Sequence, residues 1–193
     1  PVAVLRPCKE EQLPALLDAI ADLGLHVIPR GGGTGLTGGA VPVSAGCVMI
    51  NTEKLNRILG IHHREFPGDS GQTNQMAVLQ LEAGVITQDA MQYADKHGLV
   101  FATDPTSAWA STIGGNISEN AGGKTAVLWG TAIDNLLAYT IAMPGTGLLR
   151  VQRVDHPMRK IMPDDEVVYE VCDEQGQVMQ RVALRGDAIR KKG

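Results

Sequence analysis

A glycine-rich run at residues 30–39, Arg-Gly-Gly-Gly-Thr-Gly-Leu-Thr-Gly-Gly, constrains this chain more than any other feature. It follows His26–Pro29, a short segment that we predict to be a strand. Because glycine has no side chain, the backbone N–H groups of such a run can approach a ligand closely. Consecutive N–H groups form a concave site for anions. The run therefore predicts a loop that binds a pyrophosphate.

Two well-known phosphate-binding motifs are alternatives for this run. Residues 33–38 match G-x-G-x-x-G, and Glu53 lies about 20 residues further on, as in a dinucleotide-binding Rossmann turn. That turn must open a helix, whereas residues 39–46 contain a proline and two glycines and have no helical periodicity. A Walker motif needs Gly-Lys-Ser/Thr, which the run lacks. A flexible linker is the simpler alternative, but linkers rarely separate two buried strands.

Composition narrows the class of protein. The 193 residues include 23 glycines, about 12% against an average of about 7%. A net charge of −4 disfavours a nucleic-acid partner. The three cysteines are odd in number and lack C-x-x-C spacing, which indicates free thiols in a reducing compartment. With no apolar stretch of about 20 residues and no signal peptide, we expect a cytoplasmic location, peripheral to the inner membrane for the parent protein.

Both ends of the sequence look cut. It begins at Pro1 without a methionine and ends on a basic run, Arg190–Gly193. We therefore expect a piece of a longer protein.

Hydrophobic periodicity predicts mixed helices and strands, with strands in the majority. A polar stretch at residues 61–74, containing Pro67, is expected to be a loop or a junction between two lobes. Thr87 is the expected N-cap of the second helix. The predicted helices are Glu10–Leu23 and Gln88–His97, and the predicted strands are Val2–Leu5, His26–Pro29, Cys47–Asn51, Met76–Ala83, Leu99–Ala102, Asn135–Met143 and a hairpin of Val167–Cys172 with Gln177–Leu184.

A second cluster of small and polar residues occupies positions 104–123. Its hydroxyl and amide groups can bond to phosphate and to the polar edge of a heteroaromatic ring. Its two Gly-Gly pairs allow close approach of the backbone. A structural turn region is the alternative for this cluster taken alone.

Together the two clusters resemble the FAD-binding domain of the vanillyl-alcohol oxidase superfamily, which has the PCMH-type fold. Residues 30–35 match that family's first pyrophosphate loop. Residues 105–107, 113–116 and 120–123 match its second flavin-contacting segment, and residues 130–135 match the segment beside the isoalloxazine ring. The order and spacing of these motifs make the resemblance specific, and it covers nearly the whole chain.

The resemblance implies an α+β domain with two lobes and FAD bound between them. The first lobe is expected at residues 1–60 and the second at residues 61–193, with a substrate-binding cap absent. The residues then expected to bind FAD are Arg30, Gly31, Gly32, Gly33, Thr34, Gly35, Thr37, Gly38, Pro105, Thr106, Ser107, Ser111, Thr112, Gly114, Gly115, Asn116, Asn120, Ala121, Gly122, Gly123 and Gly130.

The resemblance also implies an activity. Residues 36–39 and 120–123 look most like the branch of D-lactate dehydrogenase and glycolate oxidase, and residues 124–134 are similar to large bacterial FAD-linked oxidases, which often carry iron–sulfur segments. A 2-hydroxy acid would then give a hydride to FAD, and a quinone, cytochrome or iron–sulfur centre would take the electrons. Two alternatives stay open: a non-catalytic flavin-binding or electron-transfer module, and a relative of UDP-N-acetylenolpyruvoylglucosamine reductase that uses NADPH.

Two departures from the family matter. Members with covalent flavin often have histidine where this chain has Thr34, so we expect non-covalent FAD. The residues that bind the hydroxy acid in relatives belong to the absent cap, so no catalytic base is assigned.

Several other residues are given structural roles. The pair His62–His63 lacks the further ligands that a metal site needs, and no metal is predicted. Asp104 and Glu119 are interpreted as polar loop residues. Trp109 and Trp129 are candidates either for the wall of the flavin site or for core packing.

Overall fold

The computed structural model describes residues 1–189, and the basic run Arg190–Gly193 lies outside the described residues. In chain order the elements are β1 (Ala3–Leu5), a 3-10 helix (Glu10–Gln12), α1 (Leu13–Asp22), β2 (His26–Arg30), β3 (Cys47–Asn51), β4 (Ile58–Pro67), β5 (Thr73–Leu81), α2 (Thr87–Lys96), α3 (Ile113–Ser118), α4 (Ala126–Trp129), α5 (Ala132–Asn135), β6 (Ala138–Met143), β7 (Gly147–Val154), β8 (Glu166–Cys172), β9 (Val178–Arg185) and α6 (Gly186–Ile189).

The first 51 residues form a parallel sheet with a crossover helix. The strand order is β1-β3-β2, so β3 is central, and its first four residues are buried. A central strand of a parallel sheet has a continuous apolar sequence, because both of its faces are covered. α1 packs Ile20 against Val48 and Ile50 of β3. The predicted strands and the first predicted helix are confirmed here.

The predicted loop at residues 61–74 is wrong, because most of it belongs to an antiparallel hairpin. β4 pairs with β5 from Ile58↔Leu81 to Pro67↔Thr73. The outer half of this hairpin is largely exposed. Its side chains are therefore mostly polar. An exposed polar strand and a loop look alike in sequence, because neither shows apolar alternation.

The C-terminal part is a four-stranded antiparallel sheet in the order β6-β7-β8-β9. The predicted β8–β9 hairpin is confirmed. β7 was not predicted, because the buried Arg153 interrupts its apolar pattern. Asn135 lies in α5 and not in β6, which begins at Ala138.

A second core joins the hairpin to α2 and α3. Val85, Ala90 and Ile113 are its buried residues, and Phe101 packs against them. The predicted strand Leu99–Ala102 is wrong: these residues are irregular chain. The predicted Gln88–His97 helix exists as α2, but Thr87 is its first residue and not its N-cap.

The mixed α+β class is confirmed. The division into lobes at residues 60 and 61 stays a prediction. Among the described residues, no helix is both long and apolar enough to cross a bilayer. Cys8, Cys47 and Cys172 are all free thiols, as expected.

Candidate functional site

The two glycine-rich clusters, at residues 30–39 and 104–123, meet in the fold. Gly31 lies against the side chain of Thr112, and Gly32 lies against the backbone of Ala110 and Ser111. A Cβ atom at Gly32 would collide with the carbonyl oxygen of Ala110. Both positions need glycine, because a Cβ at Gly31 would collide with the Thr112 hydroxyl and one at Gly32 would collide with the backbone that passes over it.

A second contact ties the far end of the glycine run to the second cluster. The Thr37 hydroxyl donates to Glu119 Oε2 at 3.4 Å, and Glu119 Oε1 lies 3.5 Å from the place of a Cβ on Gly39. Both Thr37 and Glu119 are exposed. Glu119 therefore links the two clusters, which is the structural role expected of it.

The base of the glycine run is anchored, whereas its outer part is open. The Arg30 guanidinium donates from Nη1 to Ala40 O at 3.1 Å, and Arg30 O accepts from Thr52 N at 3.0 Å. By contrast, no atom lies within 4 Å of a Cβ placed on Gly35 or Gly38. No helix follows the run, as predicted.

A cavity of about 410 Å³ opens where the clusters meet, a size within the range of ligand pockets, about 300–1,000 Å³. Thr112 lies on its wall and is 4% exposed, and its hydroxyl has no hydrogen-bond partner among the described residues. Buried hydroxyl groups without a partner are rare. The lining residues are Arg30, Gly31, Gly32, Asn51, Glu53, Asn56, Gly84, Val85, Ile86, Asp89 and Thr112.

A buried polar network fixes the middle of the second cluster to the start of α2. The Thr87 hydroxyl lies 2.8 Å from Ser111 Oγ and 3.1 Å from Ser111 O, and it accepts from Asn116 Nδ2 at 2.7 Å. All three residues are at most 5% exposed. The side chains of Ser111 and Asn116 are thus used to hold α3 on α2.

Asp104, the first residue of the second cluster, binds Thr125, just beyond the cluster's last residue. Its Oδ1 accepts from the backbone N of Thr125 at 3.0 Å and from the Thr125 hydroxyl at 2.8 Å. The Thr125 hydroxyl also lies 2.6 Å from Ala102 O. Asp104 is therefore a structural residue, as expected.

The third predicted segment begins with a tight turn at Gly130 and Thr131. Gly130 has a φ of 81°, in the region that favours glycine. Asp134 Oδ2 accepts from Thr131 N at 2.7 Å and from the Thr131 hydroxyl at 3.3 Å. The turn also meets the second cluster, because Ile133 N donates to Asn120 Oδ1 at 3.0 Å and Ala132 N to Ala121 O at 2.9 Å.

A buried charged cluster lies behind this turn. Burial lowers the pKa of Arg153, and the nearby Asp134 partly opposes that effect. Burial and the charge of Arg153 lower the pKa of His156, whose Nε2 lies 3.5 Å from Asp165 Oδ2. A bidentate pair of hydrogen bonds from the Arg159 guanidinium holds the pKa of Asp165 well below its usual range.

The structure distributes the residues expected to bind FAD in three groups. Arg30, Gly31, Gly32 and Thr112 line the cavity directly. Thr37, Ser111, Asn116 and Asn120 use their side chains within the protein. FAD contacts stay a prediction for these two groups and for the other expected residues, which are Gly33, Thr34, Gly35, Gly38, Pro105, Thr106, Ser107, Gly114, Gly115, Ala121, Gly122, Gly123 and Gly130.

Sequence reasoning missed several residues that line the cavity, namely Asn51, Asn56, Gly84 and Asp89. Gly84 could have been noticed in the sequence, since it stands between a predicted strand and a predicted helix. In the structure, a Cβ there would collide with Thr52 O. Trp109 and Trp129 are 74% and 45% exposed, so core packing is the wrong interpretation for both. Among residues 1–189, no group of three or more His, Cys, Asp or Glu side chains is arranged to hold a metal.

This geometry fits a dinucleotide. Gly31 and Gly32 line the cavity with backbone alone, the buried Thr112 hydroxyl is available as a donor, and the guanidinium of Arg30 adds positive charge. The carboxylates of Glu53 and Asp89 on the same cavity are suited to sugar hydroxyl groups. The cavity thus carries groups for both the phosphate and the sugar of a nucleotide.

Comparison with known proteins agrees with this site. Residues 1–152 match the family described as FAD binding domain. D-lactate dehydrogenase of Anaerostipes hadrus is 37% identical over 142 residues, which are 74% of this chain and 25% of that protein. The glycolate oxidase subunit GlcD of Bacillus subtilis is 31% identical over 150 residues, or 78% of this chain and 29% of that protein. The chain spans about a quarter of the length of such relatives.

Solved structures show the same fold. An alkyldihydroxyacetonephosphate synthase aligns with a TM-score of 0.63 at 23% identity, covering 75% of this chain and 24% of that one. The 6-hydroxy-D-nicotine oxidase of Arthrobacter nicotinovorans aligns with a TM-score of 0.59 at 20% identity, covering 76% and 29%. The fold and site define a PCMH-type FAD-binding domain. The chain belongs to the FAD binding domain family, and FAD is its cofactor.

Proposed function

We propose that this chain is the domain that holds non-covalent FAD in an oxidoreductase acting on a 2-hydroxy acid such as D-lactate or glycolate. Relatives named D-lactate dehydrogenase and glycolate oxidase subunit support this substrate class. The proposal assigns flavin binding to these 193 residues and assigns the substrate to a cap domain. A quinone, a cytochrome or an iron–sulfur domain or subunit is the proposed electron acceptor.

One observation carries the proposal: the glycine run and the second cluster converge on one cavity at Gly31, Gly32 and Thr112. In this arrangement the backbone N–H groups of the run and the Thr112 hydroxyl donate to the pyrophosphate. The Gly130–Thr131 turn would be the part of the chain that borders the isoalloxazine ring. When bound, FAD supplies a two-electron acceptor for hydride, and the protein orients it and tunes its electronics.

Purified protein tests the flavin assignment. We expect the yellow absorption of oxidised flavin, complete release of FAD into the supernatant after acid precipitation, and recovery of the spectrum when FAD is added back. Flavin that stays with the precipitated protein would contradict the non-covalent attachment. A colourless protein that cannot be reconstituted with FAD would overturn the flavin site itself.

A non-catalytic flavin-binding or electron-transfer subunit is the second candidate, and one relative's name, which describes it as a subunit, favours it. The FAD-loaded chain can be assayed with D-lactate or glycolate and a dye acceptor. Turnover by these 193 residues would exclude the second candidate. Reduction of the bound flavin by added dithionite, without turnover of either acid, would favour it for this chain.

A further inference from the structure

The connection between β7 and β8, residues 155–165, lies outside the matched family region, which ends at residue 152. It reaches back across the molecule to α5. Ile161 N donates to Asp134 of α5, and Met158 Sδ accepts from Arg153 of β7, which itself bonds to α5. Ile161 is 1% exposed, so this contact is in the protein interior.

Asp134 joins this connection to the Gly130–Thr131 turn. Its carboxylate is 1% exposed. One oxygen, Oδ2, accepts from Thr131 N at 2.7 Å, and the other, Oδ1, accepts from Ile161 N at 2.7 Å. A buried carboxylate that is bonded on both oxygens fixes the distance between its two partners, because losing either bond is costly in the interior.

Arg153 provides a second, parallel link. It is 3% exposed and donates from Nη2 to Asp134 O at 2.8 Å and from Nη1 to Ile133 O at 3.4 Å. The same guanidinium donates from Nε and Nη2 to Met158 Sδ, at 3.2 and 3.0 Å. One side chain thus holds the carbonyl groups of α5 and a residue of the connection together.

The connection is itself tied in place. Arg159 bonds Asp165 from Nη1 at 2.6 Å and from Nη2 at 3.0 Å, and Met162 N donates to Asp165 Oδ2 at 2.7 Å. Nε of Arg159 also bonds Asp69, at the tip of the β4–β5 hairpin, at 3.0 Å. These bonds make the connection a fixed support and not a free loop.

We infer that residues 153–165 are a positioning element for the flavin: through Arg153 and Asp134 they set the Gly130–Thr131 turn at its place beside the isoalloxazine ring. This rests on the proposed contact between that turn and FAD. Neither Arg153 nor Asp134 is assigned a contact with FAD, and both act through the backbone of the turn.

Three variants of the full chain test the inference: Arg153→Met, Asp134→Asn and Met158→Leu, with Ile20→Ala in the α1 core as a control that destabilises the fold elsewhere. We expect the first two to weaken FAD binding by about tenfold, equivalent to about 1.4 kcal/mol, with a smaller loss for Met158→Leu. At saturating FAD, the visible band of the bound flavin should also change shape in these three. In Ile20→Ala that band should match the wild type despite a lower melting temperature.

The outcomes separate the inference from the function on which it rests. A wild-type chain that binds no FAD would refute the flavin site. A wild type that binds FAD, with unchanged affinity and band shape in every folded variant, would overturn the positioning role alone. Should Arg153→Met and Asp134→Asn not fold, Met158→Leu decides, because it removes the sulfur acceptor and keeps the side-chain volume. Band changes equal to those of Ile20→Ala would also overturn it.

Discussion

The glycine run and the second cluster both border the candidate FAD cavity, but they are held in different ways. The run is fixed at its base, where Gly31 and Gly32 lie under the second cluster, and it is open at Gly35 and Gly38. The second cluster is fixed from within the protein by the Thr87 network and by Asp104. The run has little side-chain chemistry, whereas the cluster uses most of its polar side chains on the fold.

This difference separates two tasks of a cofactor site. The second cluster is preorganised, because its hydrogen bonds join groups within the protein, and a preorganised site loses less entropy when it binds. The open part of the run leaves backbone N–H groups for the ligand. We therefore expect substitutions in the cluster to change stability first, and substitutions in the open run to change FAD affinity first.

The largest effect is expected where the two regions meet. Gly32→Val would place its side chain against Ala110 O, in the backbone of the second cluster. Even Gly32→Ala should lower the free energy of unfolding, by about 1–3 kcal/mol as for other overpacked sites, and should weaken FAD binding strongly. Thermal unfolding and FAD fluorescence titration measure the two effects. An unchanged melting temperature would contradict the observed contact.

Thr87→Val should affect the second cluster alone. The substitution keeps the shape of the side chain and removes the oxygen bonded by Ser111 and Asn116. Buried groups left without a partner cost about 1–3 kcal/mol each, so chemical denaturation should show a loss of that order. Thr140→Val, at an exposed position on β6, is the matched control and should stay within about 0.5 kcal/mol of wild type. Equal losses in the two variants would contradict the network.

Mild acid should destabilise the buried charged cluster behind the Gly130–Thr131 turn and leave the glycine run unaffected. The pKa of His156 is lowered from 6.5 by burial and by Arg153, so the unfolded chain takes up this proton first as the pH falls. The free energy of unfolding should therefore decrease below about pH 6.5, by at most about 1.4 kcal/mol per pH unit for one proton. Asp165, with a lowered pKa, adds its own loss only below its ordinary value of 3.8.

Urea denaturation at pH 7.5 and 5.5 measures this slope. His156→Gln should flatten it, whereas His62→Gln, at an exposed position, should leave it unchanged. Arg153, Arg159 and Asp165 are the charged groups that face His156. A slope that survives in His156→Gln would assign the titration to another group.

Gly35→Ala should have the smallest effect on the free energy of unfolding, and its main effect should be on FAD affinity. Nothing lies within 4 Å of the new methyl group, and Gly35 does not have a positive φ. We expect a change in stability within about 0.5 kcal/mol, together with weaker FAD binding, by fluorescence titration. Wild-type affinity in this variant would show that FAD does not contact the outer run.

Part of this protein was predictable because local sequence carried the information. Strands β1, β2, β3 and β5, helices α1 and α2 and the β8–β9 hairpin follow from apolar periodicity. The glycine run followed by no helix excluded a Rossmann turn. β4 and β7 were missed because an exposed strand and a strand with a buried arginine lack the usual alternation.

The sequence alone predicted a phosphate-binding loop at residues 30–39 and a second cluster at residues 104–123 that accompanies it, since glycine spacing and small polar residues are local properties. Only the tertiary structure decided which of these residues face the cavity. Thr112 does, while Ser111, its neighbour in sequence, turns to Thr87. It also brought Asn51, Asp89 and Gly84 to the site from three other segments. Such contacts depend on how distant segments pack, which no local pattern encodes.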